Sequence, residues 1–184
     1  LSQTCVVMGG SGTINTSPVA SVTVTCAPPP NRLAVDPSGQ FVYAVHYKAA
    51  VNNVAAYRIE SDCTLSDLSS MTAGDNPNAI AMARVGAKIF AYITNIGSNN
   101  ISVYEINTTT GDLSEVGGSP FDTGSNPYAV VVDPLGKFAY VANVNDNTVT
   151  AYQIDETTGA LGSPAAADTQ SKPYAVTIDP GGRF

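Results

Sequence analysis

The chain is poor in charge, and what charge it has is lopsided. Only 12% of its 184 residues are Asp, Glu, Lys or Arg, about half the usual share of a soluble protein. Lys and Arg number 8 against 15 acidic residues, giving a net charge of −7. That balance excludes a basic footprint for nucleic acid or an anionic membrane surface. No apolar run approaches the roughly 18 residues of a membrane-spanning helix. There is a single histidine and there are three cysteines, with no Cys-x-x-Cys pair, so a zinc site is not expected. Gly-x-x-x-x-Gly-Lys, Gly-x-Ser-x-Gly and His-Glu-x-x-His are also missing. No helical period persists anywhere. Neither a cofactor nor a metal is expected.

What is present is repetition. Pro127-Tyr128-Ala129-Val130 returns 46 residues on as Pro173-Tyr174-Ala175-Val176, and Asp133-Pro134 as Asp179-Pro180. Asn31 to Pro37 aligns with Tyr128 to Pro134 without a gap, and Pro77-Asn78-Ala79-Ile80 opens a further copy. Each copy has the same order. A short apolar strand (31–35, 78–82, 128–132, 174–178) leads into a turn, which carries Asp-Pro except in the second copy. An aromatic-rich strand (41–46, 89–94, 138–143) and an Asn-rich turn follow. A third strand ends in Tyr-x-Ile at Tyr57, Tyr104 and Tyr152. A weaker fourth strand starts after Thr110-Gly111-Asp112-Leu113 or Thr158-Gly159-Ala160-Leu161. Four short strands per unit of about 45 residues is the signature of a propeller blade. The expected fold is therefore all-β: a partial β-propeller of three four-stranded blades (about 31–77, 78–127 and 128–173) plus the first strand of a fourth (174–184). Tyr43, Tyr92 and Tyr140 recur where a large ring can fill the gap between blades.

Residues 1–30 stand outside the repeat. Val22, Val24 and Cys26 alternate with Thr23 and Thr25, the period of a half-buried strand. Cys5 and Cys26 flank this segment. They form either a disulfide stapling a small β-module or two free thiols, and the shortness and polarity of the segment favour the disulfide. Cys63 is left over in a turn. Ala27-Pro28-Pro29-Pro30 reads as a stiff linker.

Two resemblances follow from these residues. Ser2-Gln3-Thr4-Cys5-Val6-Val7, Gly10-Ser11-Gly12-Thr13 and Val22 to Cys26 resemble the closing strands of β-sandwich modules in exported bacterial surface proteins. That resemblance implies that 1–26 ends an upstream module, that the chain is a piece of a longer protein, and that it works outside the cytoplasm. Asp133 to Asn143, Asn147 to Ile154, Thr158 to Leu161 and the tag Tyr92-Ile93-Thr94-Asn95 resemble the repeats of lactonase-like seven-bladed propellers, the 6-phosphogluconolactonase type and its surface-layer relatives. This covers 30–184 and implies a propeller whose mouth carries the function.

Positions that break the repeat's own pattern are the candidates for chemistry. Arg32 stands where the other copies have Ala79, Ala129 and Ala175. His46 stands where they have Asn95 and Asn143. Strand order puts both at one end of the first blade, on the rim shared with Tyr128, Asn143 and Tyr174. An Arg there binds anions, and a His can serve as a general acid or base. Alternatively, Arg32 is an exposed strand residue and His46 a turn residue. Two functions are expected from this arrangement. The first is a surface module whose mouth binds a small molecule, a glycan or a protein. The second is a lactone hydrolase using Arg32 and His46.

Overall fold

The computed structural model describes residue 30, residues 32–47 and residues 53–179. Cys5, Cys26 and the whole expected upstream module lie outside the described residues. The described part is three antiparallel sheets, one per repeat. The first contains β1 (Arg32–Val35), β2 (Phe41–His46), β3 (Asn53–Ile59) and β4 (Leu65–Thr72), in that spatial order. The second contains β5 (Pro77–Val85), β6 (Lys88–Asn95), β7 (Asn100–Ile106) and β8 (Leu113–Glu115), with β9 (Phe121–Asp122) also paired to β7. The third contains β10 (Pro127–Val132), β11 (Phe138–Asn143), β12 (Thr148–Gln153) and β13 (Ala165–Asp168). The first strands lie side by side, β1 against β5 and β5 against β10. This is the inner edge of a fan of blades, and three such blades make a partial propeller.

The Asp-Pro turns explain where the first hairpin of a blade opens. Asp36 accepts backbone N–H bonds from Ser38, Gln40 and Phe41. Asp133 does the same for Leu135, Lys137 and Phe138. Burial pushes the Asp36 carboxyl up, but the Ser38 side chain and the three backbone donors outweigh it and hold the group below the ordinary carboxylate value. The second blade has Ala83-Arg84 there and no carboxylate to gather those donors. Its hairpin closes instead through the two residues Gly86-Ala87, with Val85 opposite Lys88. β5 therefore runs three residues past the expected 78–82 and starts one residue earlier.

Two expectations need correction. The fourth strand of the second blade is split into β8 and β9: Val116 still donates to the Val103 carbonyl of β7, and residues 117–120 then run off the sheet before β9 rejoins it. Residues 174–178, expected as the first strand of a fourth blade, form no strand. A strand needs a neighbour to take its backbone groups, and none of the described residues pairs with this segment.

Both faces of the middle blade are buried. One core lies between the first and second blades and includes Phe41, Tyr43, Val45, Ile89, Ile93 and Tyr104. The other lies between the second and third and includes Phe90, Tyr92, Val103, Val141, Tyr152 and Leu161. Each core is spanned by two tyrosines that donate in opposite directions. Tyr43 Oη donates to the Gly111 carbonyl across the first gap (2.8 Å), and Tyr104 Oη returns a bond to Thr72 (2.8 Å). Tyr92 to Gly159 (3.0 Å) and Tyr152 to Asp122 (2.7 Å) repeat this at the second gap. A buried phenol needs such a partner. Burial raises the pKa of the Tyr43 and Tyr92 hydroxyls, so they stay protonated donors. The accepting glycines are forced by sterics: Gly111 (φ +81°) and Gly159 (φ +72°) lie so close to the Phe41 and Phe90 rings that a Cβ would overlap them.

Candidate functional site

The strand registers put the start of the first strand and the end of the second at the same end of each blade. Arg32 is opposite Val45, one residue short of His46; Pro77 is opposite Asn95; Pro127 is opposite Asn143. In the second and third blades the register shifts immediately after the proline, which leaves Asn78 and Tyr128 as bulged residues at the head of the strand. Bulges of this kind re-aim a side chain. Asn78 uses the freedom to donate from Nδ2 to the Tyr128 carbonyl (2.5 Å), tying two neighbouring heads together. The Tyr128 ring meets the Tyr174 ring edge-to-face, with centroids 5.2 Å apart. Tyr174 is 56% exposed.

Asn143, expected on the rim as a ligand-binding residue, is fully buried. Its amide is taken up within the protein. Nδ2 donates to Thr148 Oγ1 (3.1 Å) and Thr150 Oγ1 (2.7 Å), and Oδ1 accepts from Thr123 Oγ1 (3.1 Å). Asn95 is built the same way, donating to Asn100 Oδ1 (2.8 Å) and Ser102 Oγ (2.9 Å). Each amide lies under the glycine of the incoming segment: a Cβ on Gly74 would come 2.7 Å from Asn95 Nδ2, and one on Gly124 the same distance from Asn143 Cγ. These asparagines clamp the second, third and incoming strands at the head of a blade. The signal was in the repeat: Gly-x-Asn-Pro upstream, Asn at the end of the second strand, then hydroxyl or amide side chains five and seven residues on.

The first blade lacks the clamp. His46 stands at the asparagine position and is opposite Asn53, the counterpart of Asn100 and Thr148. Ala55 stands where Ser102 and Thr150 supply hydroxyls, and Ala27 where Gly74 and Gly124 leave room. Arg32 is exposed and His46 partly buried. Asn53 Oδ1 is buried without a hydrogen-bond donor among the described residues. The head of this blade thus differs from the other two in charge and in size. Cys63, at φ 65°, is exposed and free in the turn before β4. Among the described residues no group of three His, Cys, Asp or Glu side chains could hold a metal ion, and no helix is long and apolar enough to cross a membrane.

Comparison with known proteins places this arrangement. The family model described as "Lactonase, 7-bladed beta-propeller" matches residues 77–178. No curated protein matches the chain. Solved structures do. A candidate 6-phosphogluconolactonase from Bacteroides fragilis superposes with a TM-score of 0.69 at 23% identity, over 79% of this chain and 40% of that one. The periplasmic gluconolactonase PpgL of Pseudomonas aeruginosa gives 0.67 at 18% identity, over 78% and 40%. A Lactobacillus plantarum protein gives 0.70 at 22% identity, over 87% and 50%. The chain spans two fifths to one half of these proteins, and at such identities the likeness is one of fold.

Proposed function

Because the chain belongs to the seven-bladed β-propeller lactonase family, we propose that the protein hydrolyses a lactone at the head of its first blade, with Arg32 and His46 as the working groups. The observation that carries this reading is the missing clamp. Where two blades spend a buried asparagine on holding strands together, the first has an imidazole, with a guanidinium at the same end of the blade, opposite the residue that precedes the imidazole. A surface-binding role, the other expectation from the sequence, has no comparable feature in its favour.

The chemistry asked of the pair is simple. Lactone hydrolysis passes through a tetrahedral adduct in which the carbonyl oxygen becomes negative. Arg32, planar and permanently charged, would hold that oxygen and lower the cost of forming it. His46, neutral, would accept a proton from water as the water oxygen bonds to the carbonyl carbon. Collapse of the adduct breaks the bond to the ring oxygen, which takes a proton back from the imidazolium. Lactone and water are converted to a hydroxy acid, and the two side chains end as they began. Tyr128 and Tyr174 would form the wall of the mouth on which the ring of the lactone rests. We place the reaction outside the cytoplasm, in keeping with the surface-type wording of residues 1–26. The Cys5–Cys26 disulfide remains part of this proposal.

The test is hydrolysis of D-glucono-1,5-lactone by the full-length protein, with Arg32→Ala and His46→Ala variants. We expect each to lower kcat/KM at least a hundredfold, the usual scale for losing a positioned acid–base or oxyanion group, with an unchanged melting temperature. Wild-type-level hydrolysis in both variants would remove the assignment.

A further inference from the structure

We propose that Asn107 is the acceptor of an N-linked glycan, presented on the turn between β7 and β8. The inference is independent of the hydrolase assignment. It takes from that reading only the place outside the cytoplasm, where such a sugar is attached.

The chain holds three Asn-x-Ser/Thr triplets: Asn15-Thr16-Ser17, Asn100-Ile101-Ser102 and Asn107-Thr108-Thr109. A triplet of this kind accepts a sugar on its amide nitrogen only where it stands on an accessible loop. Asn15 lies outside the described residues. Asn100 is held inside the sheet, its backbone paired to Asn95 of β6 on one side and to Asp122 of β9 on the other. Its Oδ1 and the buried Ser102 hydroxyl both accept from the Asn95 amide. That triplet is closed to an enzyme.

The third is different. Asn107, Thr108, Thr109 and Thr110 are all exposed and form a turn. Asn107 also breaks the pattern of its own repeat, because the first and third blades carry Glu60 and Asp155 at this place. The turn asks only for an acceptor there. Asn107 Oδ1 takes the backbone N–H of Thr109 (2.9 Å) and Thr110 (3.1 Å), as Asp155 Oδ1 takes those of Thr157 (3.0 Å) and Thr158 (2.8 Å). A carboxylate serves the turn equally well. What the amide adds is a nitrogen, and Asn107 Nδ2 has no hydrogen-bond partner among the described residues; the Thr109 hydroxyl has none either. Glu105, ion-paired to Lys88 at the surface, stands two residues ahead, so this triplet alone has an acidic flank for a transferase to read; Thr13 and Ser98 precede the others.

The reaction needs a lipid-pyrophosphate-linked oligosaccharide as donor. Nδ2 bonds to the anomeric carbon, the carbon–oxygen bond to phosphate breaks, the lipid pyrophosphate leaves with the electron pair, and Nδ2 gives up one proton. Oδ1 is untouched, so the turn survives. β7 starts at the head, with Asn100 opposite Asn95, and ends with Ile106 opposite Ile89. The glycan therefore leaves the second blade at the end away from the head and keeps clear of the mouth.

The experiment incubates the folded full-length protein with a purified bacterial oligosaccharyltransferase and its lipid-linked oligosaccharide, then maps glycopeptides by mass spectrometry. We expect a glycan on Asn107 and none on Asn100. Asn107→Asp copies Asp155 and should abolish the modification at an unchanged melting temperature. Thr109→Ala should abolish it too. Absence of sugar at Asn107 overturns the site, whether or not a free peptide spanning 103–111 is modified, and so does modification that persists in Asn107→Asp. Purified components make the result independent of compartment and of hydrolysis. Failure of D-glucono-1,5-lactone hydrolysis leaves this site standing, and failure of sugar transfer leaves the hydrolase standing.

Discussion

The second blade and its two neighbours are made from one repeat, yet they are packed very differently. Phe90 and Tyr92 of the second blade are fully enclosed against the third. Phe138 and Tyr140, their counterparts one repeat on, are respectively 39% exposed and half-buried. At the other side, Leu113 and Leu161 are 6% exposed, whereas Leu65 of the first blade is 48% exposed. Leu33 and Val35 are exposed as well, although the matching Ile80 and Met82 pack into the core between the first two blades. The same residue type at the same strand position is core or surface according to whether another blade stands against it. A propeller blade has no core of its own; its stability is a property of the interfaces between repeats.

The sharpest way to break that comparison is to truncate the same ring in the two settings. In the 184-residue chain Tyr92→Ala should cost about 3–5 kcal/mol, as for a fully buried aromatic, and Tyr140→Ala about 1 kcal/mol, measured by urea unfolding. Equal losses would mean that the third blade's outer face is covered after all. A middle-sized effect separates clamped from unclamped heads. Asn143→Ala strands the hydroxyls of Thr123, Thr148 and Thr150 and should cost about 1–3 kcal/mol, while His46→Ala should stay within about 0.5 kcal/mol of wild type. The smallest expected effect is a gain. Ala73→Thr copies Thr123 and offers Asn95 Oδ1 its missing donor, which should add about 0.5–1.5 kcal/mol, read as a rise in melting temperature. No rise would show that the Asn95 oxygen is already satisfied.

How much of the site was legible can be argued from two positions. The departure at His46 was legible, because a repeat supplies its own reference and a His among asparagines stands out; its role belongs to the proposal. The role of Asn143 was not. An Asn at the end of a strand reads as rim or turn chemistry, and only the incoming Gly124 lying over its amide shows that it is buried and engaged.

The sequence by itself determined the order of strands along each repeat and two of the tyrosines that span the gaps, Tyr43 and Tyr92; Tyr140, expected to do the same, is only half-buried, and Tyr104 and Tyr152 take the other two places. Period-2 alternation, Asp-Pro turns and a repeat of about 46 residues depend on local backbone geometry, which every copy obeys alike. Tertiary structure alone decided which face of each blade is covered, that the fourth strand of the second blade splits, and which polar side chains are used up in clamps. Those outcomes depend on groups 20 to 70 residues away arriving at one place: Gly111 against Phe41, Thr123 against Asn143, Tyr174 against Tyr128. A local pattern carries no information about whether such a partner arrives.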